Sequence, residues 1–203
     1  MTLYVSTAAF QWIGTAVIVW RAHARGISSA DMGLAMPKPA LTFAVTVGLT
    51  TLIAFNQLFS LKHLATQPPE AQGIMWHLAR KVFPQSGLER AVFSGLVLTV
   101  AICEEVIYRG FAQRAFENWS GGMVAAGIVG SALLFGVAHL YQGRRGLVAT
   151  SVVGLLFSAI RAVTGSLGAV MIAHFATDTM AGFLAPSRLG RMPQAIEGKG
   201  DEF

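Results

Sequence analysis

Six apolar segments, each near the length that crosses a bilayer, dominate this sequence. A transmembrane helix needs about 20 consecutive apolar residues. Such segments lie at residues 3–20, 40–61, 91–107, 122–141, 147–165 and 166–184. With 54% hydrophobic and 12% charged residues, the chain of 203 residues is too apolar for an ordinary soluble domain. The sequence therefore predicts an all-α, polytopic integral membrane bundle of about six spans with a central polar cavity.

The basic residues indicate how the chain sits in the membrane. The first segment lacks a basic start and is followed by Arg21 and Arg25, so we expect a retained span rather than a cleaved signal peptide. Of the 15 Lys and Arg residues, nine fall on the face that carries both termini and six on the other, which favours cytoplasmic termini. The net charge of +5 is interpreted as attraction to anionic membrane lipids and not to nucleic acid. The expected location is a prokaryotic inner or plasma membrane.

The chain divides into three predicted regions. Residues 1–88 hold the N-terminal spans and a long loop, residues 89–184 form a helical core, and residues 185–203 form a polar tail. Within the loop, Ile74, Leu78 and Val82 recur every four residues, which predicts a short helix. This helix either lies in the membrane interface or is a solvated loop helix.

A few ionisable residues interrupt the apolar core. Such residues are costly within a membrane and are seldom there without a function. The candidates are Glu104, Glu105, Arg109, His139, His174 and Asp178. On a helix, Glu105 and Arg109 lie one turn apart and are expected to pair, whereas Glu104 points about a hundred degrees away. Glu104 is thus left available for proton or metal chemistry.

The depth of these residues in the membrane constrains the third span. At a rise of about 1.5 Å per residue, a helix ending near Tyr108 would leave Glu104 far from His139. A longer helix, covering residues 89–118 and turning at Trp119–Gly122, brings Glu104 and the two histidines to similar depths. The sequence therefore predicts one long helix with the carboxylates at mid-length.

Three motifs resemble those of the CPBP intramembrane proteases, which include CAAX prenyl proteases and bacteriocin-processing (Abi) proteins. The first is Glu104-Glu105-x-x-x-Arg109, the second Phe135-x-x-x-His139 and the third His174-x-x-x-Asp178. They occur in the family's order within about residues 89–184. The family commonly has asparagine where this chain has Asp178.

The resemblance implies a peptidase with a site open to the cytoplasm. Glu104 would activate water with help from His139. His174 and Asp178 would bind a metal or stabilise the oxyanion, and Glu105 and Arg109 would shape the site. An ionised Asp178 cannot donate a hydrogen bond, so it suits cation binding or the orientation of His174.

Two mechanisms fit this set. A zinc ion held by His139, His174, Asp178 and Glu104 could activate a bound water, or Glu104 could act directly as general base beside His139. The expected partners are membrane lipids and a peptide or membrane-protein substrate, and the oligomeric state is left open. Two non-proteolytic alternatives are a membrane adaptor or bacteriocin-immunity protein, and a proton or ion pathway.

Overall fold

The structure is a computed structural model that describes residues 2–189, apart from the side chains of Pro69 and Glu70. Every regular element in this range is helical. The α-helices, in chain order, are α1 (Thr2–Ala24), α2 (Pro39–Leu64), α3 (Pro69–Gln72), α4 (Ile74–Lys81), α5 (Gly87–Glu105), α6 (Gln113–Trp119), α7 (Val124–Ala138), α8 (Gly143–Thr164) and α9 (Gly168–Leu189). A π-helical segment, Val106–Ala112, joins α5 to α6, and a short 3₁₀ turn, Leu140–Gln142, precedes α8.

The helices form a polytopic membrane bundle, which confirms the predicted fold class. Five are long and apolar enough to cross a bilayer: Thr2–Ala24, Pro39–Leu64, Gly87–Trp119, Leu140–Thr164 and Gly168–Leu189. The remaining predicted span, at 122–141, is the 15-residue helix α7, which is shorter than a full bilayer crossing. Helices α8 and α9 meet at Gly165, whose left-handed φ of 71° ends α8 and permits the tight turn.

A single helical rod of 33 residues runs from Gly87 to Trp119. It contains the long helix predicted at 89–118. Its start is fixed by a capping box, in which Ser86 Oγ accepts from the Glu89 backbone N–H and Glu89 accepts from that of Ser86. This rod carries both glutamates at mid-length, as expected from the depth argument.

The π-helical segment in the middle of this rod was not predicted. The Gln113 N–H bonds to the carbonyl of Tyr108, five residues earlier. The same carbonyl also accepts from Ser131 Oγ of α7 at 2.7 Å. Such π-helical turns are rare and occur often at functional sites. Here the segment begins directly after Glu105, so it sets the position of Arg109 relative to the two glutamates.

The loop between α1 and α2 closes one end of the bundle. Met32 is fully buried, and a Cβ on Gly110 would lie 3.1 Å from the Met32 carbonyl oxygen. Arg161 of α8 donates to the carbonyl of Asp31, and the Leu167 N–H donates to that of Gly33 at 2.8 Å. These contacts fix the loop against the beginning of α9.

The side chain of Asp31 stabilises the turn at the start of this loop. It accepts hydrogen bonds from the hydroxyl and the backbone N–H of Ser28, at 2.6 Å and 3.0 Å. These bonds, the hydroxyl first, hold the pKa of Asp31 below its ordinary value. The carboxyl group of Asp31 in this turn is therefore ionised at neutral pH.

The predicted short helix between the second and third spans is α4, and it packs against α9. Its buried face centres on Ala79, with Met75 alongside, while Ile74 is exposed. The predicted face is therefore shifted by one position, because contact with Ala185 and Leu189 of α9 decides which side is buried. Helix α9 continues to Leu189, and residues 190–203 of the predicted tail lie outside the described range.

Close approach of α6 and α7 sets the height of α7 in the bundle. A Cβ on Gly127 would lie 2.8 Å from the backbone oxygen of Gln113, and one on Gly130 would overlap the ring of Phe116. Helix α7 ends at Ala138, directly before His139. Small residues thus allow the contact that carries His139 to its place.

We expect Gly127→Ala to destabilise the protein by about 1–3 kcal/mol, because its methyl group overlaps backbone that cannot move cheaply. Gly48→Ala in α2 is the matched control, since a Cβ there meets no atom within 4 Å. Thermal unfolding in detergent micelles measures both. Equal stability of the two variants would contradict the close α6–α7 contact.

Candidate active site

Glu104 lies at mid-length of the long helix and faces α1. Its Oε1 accepts a hydrogen bond from Gln11 Nε2 at 3.1 Å. Its Oε2 is buried and receives no hydrogen bond from the described residues. The side chain borders a cavity of about 180 Å³, whose other lining residues are Phe10, Gln11, Gly14, Ile107 and Tyr108. Glu104 is therefore a carboxylate with one oxygen held and one oxygen available.

Glu105, the adjacent residue, has a different environment. It is fully buried, and its Oε1 accepts from Arg109 Nη1 at 2.9 Å. The expected pairing of Glu105 with Arg109 is thus present. The same oxygen also lies 2.7 Å from Nδ1 of His174 on α9, a contact that sequence analysis missed. Glu105 therefore links the long helix to α9 through charged groups.

Arg109 is held between aromatic rings. Its guanidinium carbon lies 4.1 Å from the ring centre of Phe135 and 5.4 Å from that of Phe157. Such cation–π contacts stabilise a charge away from water. The two rings come from α7 and α8, so Arg109 ties three parts of the bundle together. It balances the charge of Glu105 without touching Glu104.

His174 has a carboxylate near each of its ring nitrogens. Nδ1 faces Glu105, and Nε2 lies 3.5 Å from Oδ2 of Asp178, one turn later on α9. The side chain of Asp178 is 38% exposed, whereas that of Glu105 is fully buried. The predicted neighbours His174 and Asp178 are thus together, with Asp178 at the outer edge of the site.

His139 follows the last residue of α7 and is half-buried. Its Nδ1 lies 2.8 Å from the carbonyl oxygen of Phe135. A carbonyl only accepts, so Nδ1 carries the proton, and in the neutral ring Nε2 is an acceptor. The Phe135 ring contacts both imidazoles, with centres 4.5 Å from His139 and 6.3 Å from His174.

The structure brings the predicted ionisable residues into one region. The Glu104 carboxyl interacts electrostatically with four of them: His174, His139, Asp178 and Glu105. The cavity beside Glu104 differs from the central polar cavity that the sequence predicts. One of its sides is formed by residues of α1, and neither histidine borders it. Gln11 is a site residue that sequence analysis missed. Gln11 could have been noticed in the sequence as a lone amide in an apolar span, because burying a polar group away from water is costly.

The donor set does not fit the zinc site expected from the sequence. Within residues 2–189, no three His, Cys, Asp or Glu side chains are arranged to hold a metal ion. Nδ1 of His174 is held by Glu105 at 2.7 Å, and Nε2 lies 3.5 Å from Asp178. Zinc binding by His139, His174, Asp178 and Glu104 stays a prediction.

Substitution by glutamine is expected to lower the stability of the protein at Glu105 but not at Glu104. Glu105→Gln leaves the buried charge of Arg109 unpaired and should cost about 3–5 kcal/mol of stability. Glu104→Gln is the control and should have little effect, because Glu104 has no charged partner in hydrogen-bonding contact. Thermal unfolding of the purified variants tests this, and similar midpoints for the two would contradict it.

Comparison with known proteins identifies the central region. Residues 86–180, just under half of the chain, match the family of type II CAAX prenyl endopeptidases described as Rce1-like. No curated protein and no solved structure matches the chain. All three sequence motifs lie within the matched residues, and α1 and α2 lie outside them. The recognition made from the motifs is confirmed by this match of residues 86–180 to the Rce1-like family of type II CAAX prenyl endopeptidases.

Proposed function

We propose that this protein is an intramembrane endopeptidase that hydrolyses a peptide bond near the membrane, with Glu104 as general base. One observation carries the proposal. Glu104 has a buried oxygen with no donor among the described residues, and its carboxyl lies within electrostatic range of both site histidines. Glu105 Oε2 also lacks a donor, but of the two glutamates only Glu104 borders the cavity, which gives its oxygen room for a water as partner.

The first step is activation of water by Glu104. Its Oε2 accepts a proton while the water oxygen attacks the carbonyl carbon of the substrate. Gln11 occupies Oε1, so the two oxygens have separate roles. His139 contributes Nε2 as a second acceptor that orients the water, because its Nδ1 is committed to the carbonyl of Phe135. The proton held by Glu104 then passes to the leaving amine as the carbon–nitrogen bond breaks.

His174 stabilises the negative charge that develops on the carbonyl oxygen. Its Nδ1 is held by Glu105 at 2.7 Å, and its Nε2, which lies 3.5 Å from Asp178, is the nitrogen that faces the developing charge. Asp178 accepts hydrogen bonds but cannot donate one to an oxyanion, so its role is to orient His174. Arg109 compensates the buried charge of Glu105 and keeps that carboxylate fixed on Nδ1.

The substrate is a peptide or the end of a membrane protein that reaches the bundle within the lipid. The matched family acts on CAAX prenyl proteins by its description, which makes a prenylated C-terminal peptide one substrate class to test. A membrane adaptor or bacteriocin-immunity role is the alternative. It would use the same polar cluster for assembly and would not require the basicity of Glu104.

Glu104→Gln is expected to abolish hydrolysis, at least a hundredfold, because an amide cannot act as general base. Peptide termini are compared by mass spectrometry in membranes that carry either the wild-type or the variant protein. A set of termini should disappear in the variant while its amount and unfolding temperature stay unchanged. If both proteins are folded and the two sets of termini are identical, the endopeptidase proposal is overturned and the adaptor role is favoured.

Metal analysis tests the mechanism separately. We expect the purified protein to contain well under one zinc ion per chain, since no three His, Cys, Asp or Glu side chains within residues 2–189 are arranged to hold a metal ion. Chelator treatment should leave the production of Glu104-dependent termini unchanged. Stoichiometric zinc that is lost together with activity, and restored by adding zinc, would replace this mechanism with the metal-bound one.

A further inference from the structure

A polar contact from outside the family-matched region reaches the proposed base. Gln11 lies in the middle of α1, which packs along α5. Its Nε2 donates to Glu104 Oε1 at 3.1 Å. The next residue, Trp12, donates through Nε1 to Thr99 Oγ1 at 3.2 Å. Two adjacent side chains of α1 therefore bond to the long helix, but only Gln11 bonds to an ionisable group.

We propose that Gln11 is a positioning residue for Glu104, which fixes Oε1 and so assigns Oε2 as the oxygen that takes the proton. This inference rests on the proposed endopeptidase function. An amide N–H bonded to a carboxylate stabilises the charged form, and the effect is larger where water is excluded. It also restrains rotation of the carboxyl group, so Oε2 keeps one direction.

The cavity beside Glu104 supports this role. Gln11, Phe10 and Gly14 form its α1 side, and Ile107 and Tyr108 form the opposite side. A Cβ on Gly14 would meet no atom within 4 Å, so this wall leaves open space next to the carboxyl. Water or substrate that uses this cavity reaches Glu104 beside the amide of Gln11.

Other titratable groups also surround Glu104 and must be kept constant in a test. They are His174 and Asp178 from α9, His139 beyond α7, and Glu105, Tyr108 and Arg109 from its own rod. Gln11 differs from all of these in having no titratable group. A substitution there changes one hydrogen bond and leaves the set of charges intact.

Infrared difference spectroscopy of the full-length protein in lipid measures this bond directly. The Glu104 carboxyl band is assigned by subtracting the spectrum of Glu104→Gln. Gln11→Met removes the donor at similar length and should shift the Glu104 carboxyl band, because Oε1 loses its hydrogen bond. Where Glu104 is protonated, its C=O band should move to higher wavenumber.

Trp12→Phe is the matched control. It removes the neighbouring bond between α1 and Thr99 without touching Glu104, so it should leave the Glu104 band unchanged. Equal bands in Gln11→Met and wild type would overturn the proposal. So would equal shifts in the two variants, because they would show that α1 docking alone matters.

Activity distinguishes this proposal from the one on which it rests. The formation of Glu104-dependent peptide termini should fall about ten- to a hundredfold in Gln11→Met and stay near wild type in Trp12→Phe. If Gln11→Met is fully active while Glu104→Gln is inactive, the proposed role of Gln11 is wrong and the endopeptidase proposal still holds. If no peptide termini depend on Glu104, the endopeptidase proposal is wrong. The infrared shift would still show whether Gln11 is hydrogen-bonded to Glu104.

Discussion

A buried set of paired charges organises this membrane bundle. The carboxylate of Glu105 accepts from Arg109 and contacts His174, so charges from the long helix and α9 compensate one another away from water. A buried charge without a partner costs several kcal/mol, which means that these residues are stable only together. Phe135 and Phe157 complete the arrangement by covering the guanidinium with aromatic faces. The relative position of four helical segments follows from this cluster.

The cluster also separates the environments of two adjacent glutamates. Glu105 is committed to Arg109 and His174, whereas Glu104 points toward α1 and, among the described residues, accepts a hydrogen bond from an amide alone. In the proposed mechanism, this neutral partner leaves the Glu104 carboxylate free to exchange a proton. The proposed chemistry and the structural support thus fall on neighbouring residues of one helix, about a hundred degrees apart around its axis.

Elements remote from the charges hold this arrangement in place. The π-helical segment is braced by Ser131 of α7, and the loop between α1 and α2 inserts Met32 against Gly110. The close contact at Gly127 sets α7, and with it His139, at its depth. Helix α1, outside the family-matched residues, supplies Gln11 as a hydrogen-bond donor to Glu104. The site therefore depends on the whole bundle and not only on the residues of the three motifs.

Sequence alone determined the membrane-helical class, the long helix through Trp119, the boundary between the segments 147–165 and 166–184, and the short helix α4. These features depend on local apolar length, helical spacing and glycine, which can be read within one segment. The pairing of Glu105 with Arg109 was accessible for the same reason, since one turn of helix separates them.

Tertiary structure decided what depends on contacts between segments. The bond from Gln11 to Glu104 joins residues 93 positions apart, and that from Glu105 to His174 spans 69. No periodicity within one helix specifies which faces will meet. The buried face of α4 is shifted for this reason, because packing against Ala185 and Leu189 outweighs its own pattern. The contact of His174 Nδ1 with Glu105 likewise forms only because α9 meets the long helix, whereas the neighbour of Nε2, Asp178, lies one turn away on α9 itself.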